Sequence, residues 1–552
     1  MFTLFSRWFL IVSLLSLTGS LSAQSPAFLW AEGAGGAGFD RVNDIAIVDG
    51  DHIIAAGFFE GTISIGDTTV TSAGGQNIWI ARYTVDGILD WVRQTGGPDA
   101  EVMQSMAVDD AGHIILTGYF FGPSTDLGDT TLFNAGATDI FVAKFSPDGD
   151  FLWATRAGGA TDDGVNKVST DGQGNIVITG SFSDTADFGD TTLTGAGGWD
   201  IFVAKYTPDG TLLWVEGAGG VGFEFGTNIA VDAAGNIVVS ALSFGAVAIG
   251  DTTLTNAGAA DMVIAKFTGA GDFLWAEQAG GTAFDEPVGL IVDSQANIVV
   301  GGYFGDAAVF GDTTLTASGL QDMVIVKYDA DGHLQWAEQA GGNDVVSANA
   351  LALTGSGHIV VTGDFSGTAT FGDSTQISAG QQQMYAAKYS GDGDFSWVIP
   401  ASGTAFSSGL SVAVDGPGDL LVSGLYGDGS ARFGNTTLPG RGNQDIFIAK
   451  IGENLTAIAG SAPLPRSLTL SQNYPNPFNP ATTIEFVLPQ SGRATLSVFN
   501  VSGERVATLV SDELAAGRYT YRWDASGMAS GTYFYRLETA GHSEVRKALL
   551  LK

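Results

Sequence analysis

The sequence predicts an all-β architecture built from one module repeated seven times, and three periodic features carry the prediction. Tryptophan stands at Trp30, Trp91, Trp153, Trp214, Trp275, Trp336 and Trp397, at intervals of 61 or 62 residues. Gly-Asp-Thr-Thr recurs at 66–69, 128–131, 189–192, 250–253 and 311–314, relaxing to Gly-Asp-Ser-Thr at 372–375 and Gly-Asn-Thr-Thr at 434–437. A basic residue followed by a large apolar one occurs at Arg82-Tyr83, Lys144-Phe145, Lys205-Tyr206, Lys266-Phe267, Lys327-Tyr328, Lys388-Tyr389 and Lys450-Ile451. Such repetition means a supersecondary module stacked on copies of itself, because one copy cannot bury its apolar face alone.

The third copy shows how the module is built. Asn166–Thr170, Asn175–Phe182, Asp200–Tyr206 and Leu212–Glu216 are short runs rich in Val, Ile, Phe, Tyr and Thr, bounded by Gly, Asp or Asn. Asp171-Gly172-Gln173-Gly174 and Pro208-Asp209-Gly210 supply turns. Residues 187–194, around Gly-Asp-Thr-Thr, read as an inserted hairpin. Four antiparallel strands with a hairpin arm describe a propeller blade. Residues 28–451 therefore read as a seven-bladed β-propeller of about 61 residues per blade. Each blade ends on an apolar-apolar-Trp strand, but no tryptophan follows Lys450. The missing strand is Phe28-Leu29-Trp30, at the other end of the array, which is expected to pair beside Asp445–Lys450 and close the last blade.

The repeat pattern resembles the bacterial SBBP-type propeller repeats. Residues 203–214 (VAKYTPDGTLLW) and 229–239 (IAVDAAGNIVV) match well. The likeness implies a fold and is silent on activity.

Composition bounds the setting. Residues 1–23 read as a secretory signal peptide, with Arg7 ahead of the apolar run Trp8–Leu17 and a small-residue cleavage site at Ser20–Ala23. No later segment approaches the twenty apolar residues of a membrane helix, so the mature chain is expected to lack a transmembrane segment. There is no cysteine, which excludes disulfides, thiol nucleophiles and Cys-zinc sites. The net charge is −36. Residues 466–552 carry nine Lys/Arg against seven Asp/Glu, which with Arg7 leaves −39 on residues 8–465. A field of that sign repels nucleic acid and anionic lipid.

Beyond a proline-bearing linker at 452–466 the composition changes. Gln472-Asn473-Tyr474-Pro475-Asn476-Pro477-Phe478-Asn479-Pro480 precedes a strand at Thr482–Leu488. Further strands follow at Ala494–Asn500, Arg505–Val510, Arg518–Trp523, Gly531–Glu538 and Val545–Leu551. Residues 467–552 thus read as a small Ig-like β-sandwich. This segment resembles the C-terminal sorting domain (type A) of type IX secretion substrates. The resemblance rests on the opening Tyr474, Pro475, Asn476, Pro477 and Phe478, on the strand holding Gly531 and Tyr533, and on the closing run with Lys547. It implies export across the inner membrane of a Gram-negative cell and recognition by the type IX machinery at the outer membrane. It also implies removal of the tail, with release of the cargo or attachment to surface lipopolysaccharide.

Catalytic signals are sparse. Gly33-x-Gly35-x-x-Gly38 and Gly217-x-Gly219-x-x-Gly222 match a dinucleotide fingerprint, but no helix follows either, so the glycines belong to repeated turns. His52, His113 and His358 share one repeat position with Asn175, Asn236, Asn297 and Asp419, which makes them turn formers. No Ser-His-Asp group or histidine metal cluster can be assembled. Ten residues after a tryptophan stands an acid in five copies: Asp40, Glu101, Asp163, Glu224 and Asp285. They lie in the segments that vary most between copies (37–43, 98–104, 160–166, 221–227, 282–288, 343–349, 404–410). One reading is an acidic loop ring that binds a cation such as Ca2+, a sugar or a protein loop. The other is that each acid caps a turn within its own blade. No cofactor is otherwise called for. The leading expectation is a non-enzymatic propeller at the cell surface or secreted, binding an extracellular protein or glycan. A polysaccharide hydrolase or lyase and a structural or adhesion protein are the alternatives.

Overall fold

The computed structural model describes residues 26–378, 381–452, 469–470, 472–473, 476–488, 492–514, 517–539 and 542–551. The expected signal peptide at 1–23 and residues 453–466 of the expected linker lie outside them. The chain divides into two compact units, Met1–Leu455 and Thr456–Lys552.

In the first unit each repeat is a four-stranded antiparallel sheet. In repeat 3, Asp163–Thr170 pairs with Ile176–Phe188, which pairs with Thr191–Tyr206, which pairs with Leu212–Ala218. The first strand starts three residues earlier than its sequence pattern suggests. The second and third run on without a break into the hairpin arm, where Thr185–Phe188 faces Thr191–Thr194. Repeat 7 is completed from the far end of the array. Ala27–Gly36 pairs with Gln444–Gly452, with Phe28 opposite Ile451, Trp30 opposite Lys450 and Ala34 opposite Ile446. The first strands of the seven repeats neighbour one another in order, and the strand of repeat 7 returns to that of repeat 1.

The apolar cores lie between successive sheets. Ile115, Ile140 and Val142 of repeat 2 pack with Val165, Ile178, Phe182 and Phe202 of repeat 3 in one buried cluster. Leu421, Ile446 and Ile448 of repeat 7 pack likewise with Val42, Ile53 and Trp79 of repeat 1. Each fully buried aliphatic or aromatic side chain contributes about 1.5–3 kcal/mol. The strands read as almost continuous apolar runs because both faces of each sheet are covered, as in Asp139–Phe145, buried at every position.

Two repeated devices join the sheets. The outer strand of one repeat ends in Gly-Gly, which pairs with the arm of the next: Gly158 opposite Asp187, Gly280 opposite Val309, Gly341 opposite Thr370. A Cβ on Gly159 would overlap the carbonyl of Thr185, and one on Gly281 that of Ala307, so only glycine lets the backbones approach. The ladder tryptophans form the second device. Trp153 packs under Gly210 of the following repeat, and its indole N–H donates to the Pro208 carbonyl at 3.2 Å. Trp214 does the same with Gly271 and Gly269 O, and Trp275 with Gly332 and Ala330 O. All seven ladder tryptophans are half-buried, since one edge of each indole faces solvent at the rim of a joint.

The second unit holds two antiparallel sheets. One joins Thr469–Leu470, Ala481–Leu488 and Gly517–Asp524; the other runs Arg505–Leu514, Gly492–Asn500, Gly531–Thr539, His542–Leu550. Ile484, Phe486 and Trp523 from the first sheet share one core with Leu496, Val498, Tyr535 and Leu537 from the second.

Candidate functional site

The five repeated acids are buried at the joints between repeats. Asp40, Glu101, Asp163, Glu224 and Asp285 are each 0% exposed, so none stands on the open loop surface. Each caps the Gly-Gly turn four residues upstream or is tied to the strand beside it. Asp40 accepts the Gly36 N–H at 2.6 Å, Asp163 that of Gly159 at 2.6 Å, Glu224 that of Gly220 at 2.8 Å and Asp285 that of Gly281 at 2.6 Å. Glu101 accepts from Asn77 Nδ2 at 2.7 Å. At four joints a second carboxyl from the preceding repeat closes on the same turn: Asp445 beside Asp40, Asp139 beside Asp163, Asp200 beside Glu224 and Asp261 beside Asp285. Burial and the neighbouring carboxyl push Asp40 and Asp285 up to about 6 and Asp163 and Glu224 up to about 7, while burial raises Glu101 as well. Repeats 6 and 7 carry Val346 and Ser407 at this position, both buried. Among the described residues no group of three or more His, Asp or Glu side chains is placed to hold a metal ion.

The repeated basic residues are bound up at the opposite ends of the sheets. Lys144 meets Asp109 at 2.9 Å, Lys205 meets Asp171 at 3.0 Å, Lys266 meets Asp232 at 3.2 Å and Lys327 meets Asp293 at 3.0 Å. Lys144, Lys205 and Lys266 also donate to the carbonyl of the next repeat that receives the tryptophan N–H, Pro208, Gly269 and Ala330 in turn, and Lys327 donates to the Gly391 carbonyl. Burial opposes ionisation of Asp109, Asp171, Asp232 and Asp293, but donors from the lysines and the turn hold all four below the usual carboxylate range. His113 sits within the same turn, 3.0 Å from Asp109, as Asn175 does with Asp171 at 2.8 Å.

Repetition breaks down in two places. The first strand of every repeat carries a β-bulge, as between Val42 and Asp44, Val165 and Lys167, and Ala348 and Ala350. A bulge turns two successive residues toward the same side. The seven equivalent residues after it are Asp44, Ser105, Lys167, Asn228, Gly289, Ala350 and Ser411. Lys167 Nζ reaches Asp44 at 3.0 Å from two repeats away, and Asp44 also accepts from Ser105 at 2.9 Å and Ser411 at 3.1 Å. Asp44, Lys167, Asn228, Gly289, Ala350 and Ser411 all line a cavity of about 450 Å³, together with Ser169, Asn349 and apolar side chains such as Ile229, Leu290 and Leu351. The bulge is visible in the sequence as the paired polar residues Asn43-Asp44, Gln104-Ser105, Asn166-Lys167 and Thr227-Asn228, which interrupt the alternation at one position.

The second break is a row of aromatic rings on the variable-loop edge of repeats 3, 4 and 5. Trp199 lies 5.8 Å from Phe225, Phe225 6.2 Å from Phe244, Phe244 5.8 Å from Phe284 and Phe284 6.3 Å from Tyr303, centroid to centroid. Phe244 is 41% exposed and the adjacent Phe223 52%. The Tyr303 hydroxyl donates to Glu286, whose carboxyl burial raises.

In the second unit the opening motif grips the last strand. Phe478 exchanges backbone hydrogen bonds with Leu549 and Leu551, both at 3.0 Å. Asn476 accepts the Leu549 N–H at 2.9 Å and donates to the Lys547 carbonyl at 3.2 Å. The Phe478 ring packs on Trp523 at 5.2 Å, and Trp523 on Tyr533 at 5.3 Å. Pro477 and Lys547 are exposed, Gly531 begins the strand that holds Tyr533, and Tyr474 and Pro475 lie outside the described residues. The two ends of the motif are therefore one contact.

Comparison with known proteins places these two units differently. Residues 472–551 match the secretion system C-terminal sorting domain, which marks the chain as a type IX secretion cargo with a secreted or cell-surface destination. The chain is also similar to an uncharacterized WD repeat-containing protein of Acanthamoeba polyphaga mimivirus, 23% identical over 518 residues. That match covers 74% of this chain and 37% of the relative, so the chain spans little more than a third of the relative's length. A crystal structure of a tetra-tandem repeat from the extending region of a large adhesion protein aligns at 13% identity. It covers 88% of this chain and 97% of that one, with a TM-score of 0.13. Among the described residues no helix is long and apolar enough to cross a membrane.

Proposed function

We propose that residues 28–451 form a seven-bladed β-propeller of the SBBP type, closed by its N-terminal strand, and that residues 467–552 form an Ig-like sorting domain. In this reading the type IX machinery delivers the protein across the outer membrane. There the propeller acts as a secreted or surface-held binding protein for an extracellular protein or glycan. One observation carries the binding role. The repeated polar residues are spent inside the joints, whereas residues that differ between repeats form, on one edge, a row of aromatic rings in which Phe244 is exposed. Selection for stacking alone would keep those positions alike. The tail supports delivery through a motif whose two ends meet on the final strand.

The mature protein, screened on glycan and peptide arrays and on chromogenic glycosides, tests this reading. Saturable binding without turnover is expected. Glycosidic bond cleavage would replace the binding reading with the hydrolase alternative.

A further inference from the structure

The aromatic row and the charge around it point to one class of ligand. Within residues 163–340, twenty-three Asp/Glu stand against four Lys/Arg, namely Lys167, Lys205, Lys266 and Lys327. Each of these lysines is ion-paired with an aspartate, so no cation in these three repeats is spare for an anionic ligand. Asp184 in repeat 3 and Asp306 in repeat 5, both exposed, occupy the repeat position that follows the one Phe244 holds in repeat 4. Glu286 stands at its end, hydrogen-bonded to Tyr303. Ring faces attract cations through their quadrupole, and a guanidinium or ammonium over such a face is held more firmly where carboxylates share its charge.

We propose that the row Trp199–Phe225–Phe244–Phe284–Tyr303 docks a cationic polypeptide segment. Its Lys and Arg side chains lie on the rings, and Asp184, Glu286 and Asp306 neutralise them. This rests on the binding reading above and names its ligand class. The row extends over three repeats, the reach of an extended segment rather than of a single small cation.

The test titrates the full mature chain with a fluorescent, unstructured Lys/Arg-rich peptide and with its Gln-substituted counterpart at physiological salt. The basic peptide is expected to bind and the neutral one not. Phe244→Ala should weaken binding by about tenfold and Glu286→Gln severalfold, with unchanged melting temperatures. Phe133→Ala, an exposed ring on the arm of repeat 2, should leave binding intact. Equal affinity of the Phe244→Ala and Phe133→Ala proteins would overturn the proposal, because a diffuse acidic field would then account for binding. A neutral oligosaccharide that binds in a Phe244-dependent way where the peptide fails would remove the cationic ligand and leave the binding role standing. Failure of peptide, oligosaccharide and array ligands alike would remove both.

Discussion

Replacing Asp163 by Asn should make the protein more stable in base and leave it nearly unchanged below about pH 4. Asp139 and Asp163 are both fully buried and close on Gly158. Asp139 Oδ1 lies 2.5 Å and Asp163 Oδ2 3.1 Å from the point a Cβ on that glycine would occupy. Asp139 Oδ1 has no donor. A protonated Asp163 can fill that role, which fits its rise to about 7 from an ordinary 3.8. Because the folded value is the higher one, the stability this group contributes is complete below about pH 4 and is lost as pH rises through about 7. The rise from 3.8 to about 7 caps the loss at about 4 kcal/mol, and relaxation of the site brings it to about 2 kcal/mol. Asparagine supplies the donor at every pH, as Asn77 already does toward Glu101 at 2.7 Å. Urea midpoints of the mature protein and the Asp163→Asn variant, measured from about pH 4 to 9 by tryptophan fluorescence, check this. The variant should gain on the parent by about 2 kcal/mol at pH 8, by a smaller amount near pH 5 and by little near pH 4. A difference that stays flat with pH, or a variant weaker at pH 8, would refute the shared proton.

Trp214→Ala should cost about 2–3 kcal/mol, below the value for a fully buried indole, because the ring is half-exposed yet packs on Gly271 and bonds Gly269 O; denaturant midpoints measure it. Deleting residues 27–31 should bare part of the Gln444–Gly452 edge and cause concentration-dependent association, seen by light scattering. Asn476→Ala should loosen the last strand, lower the melting point of the tail and reduce secretion, read as cargo retained in the periplasm. Removing residues 467–552 should leave a folded array in the periplasm. Wild-type protein recovered outside the cell should lack the tail by mass spectrometry.

The strand order, the arms and the borrowed closing strand were legible because repetition shows each position seven times, and a missing tryptophan strand after Lys450 is conspicuous. The same periodicity could not tell whether the equivalent acids face solvent or core. A carboxylate that caps a buried Gly-Gly turn recurs as regularly as one that holds a ligand, so Asp163 and its counterparts looked the same under either reading. The aromatic row left no periodic trace at all. Trp199 comes from a third strand, Phe225 from a first and Phe244 from just past the end of a second, and these meet only when neighbouring sheets stack. The bulge beside Asp44 and Lys167 did leave a trace, in the paired polar residues that interrupt the alternation.

The pairing of Ala27–Gly36 with Gln444–Gly452 sets an order of events during biosynthesis. The strand that leaves the ribosome first within the array finds its partner last, more than 400 residues later. At about 5–20 residues per second, that wait is roughly 20–80 s. Until then the final sheet lacks its outer member and the first core, which includes Ala34, Ile446 and Ile448, cannot assemble. An array so arranged keeps one joint open, and its final sheet short of a strand, until the last repeat has been made.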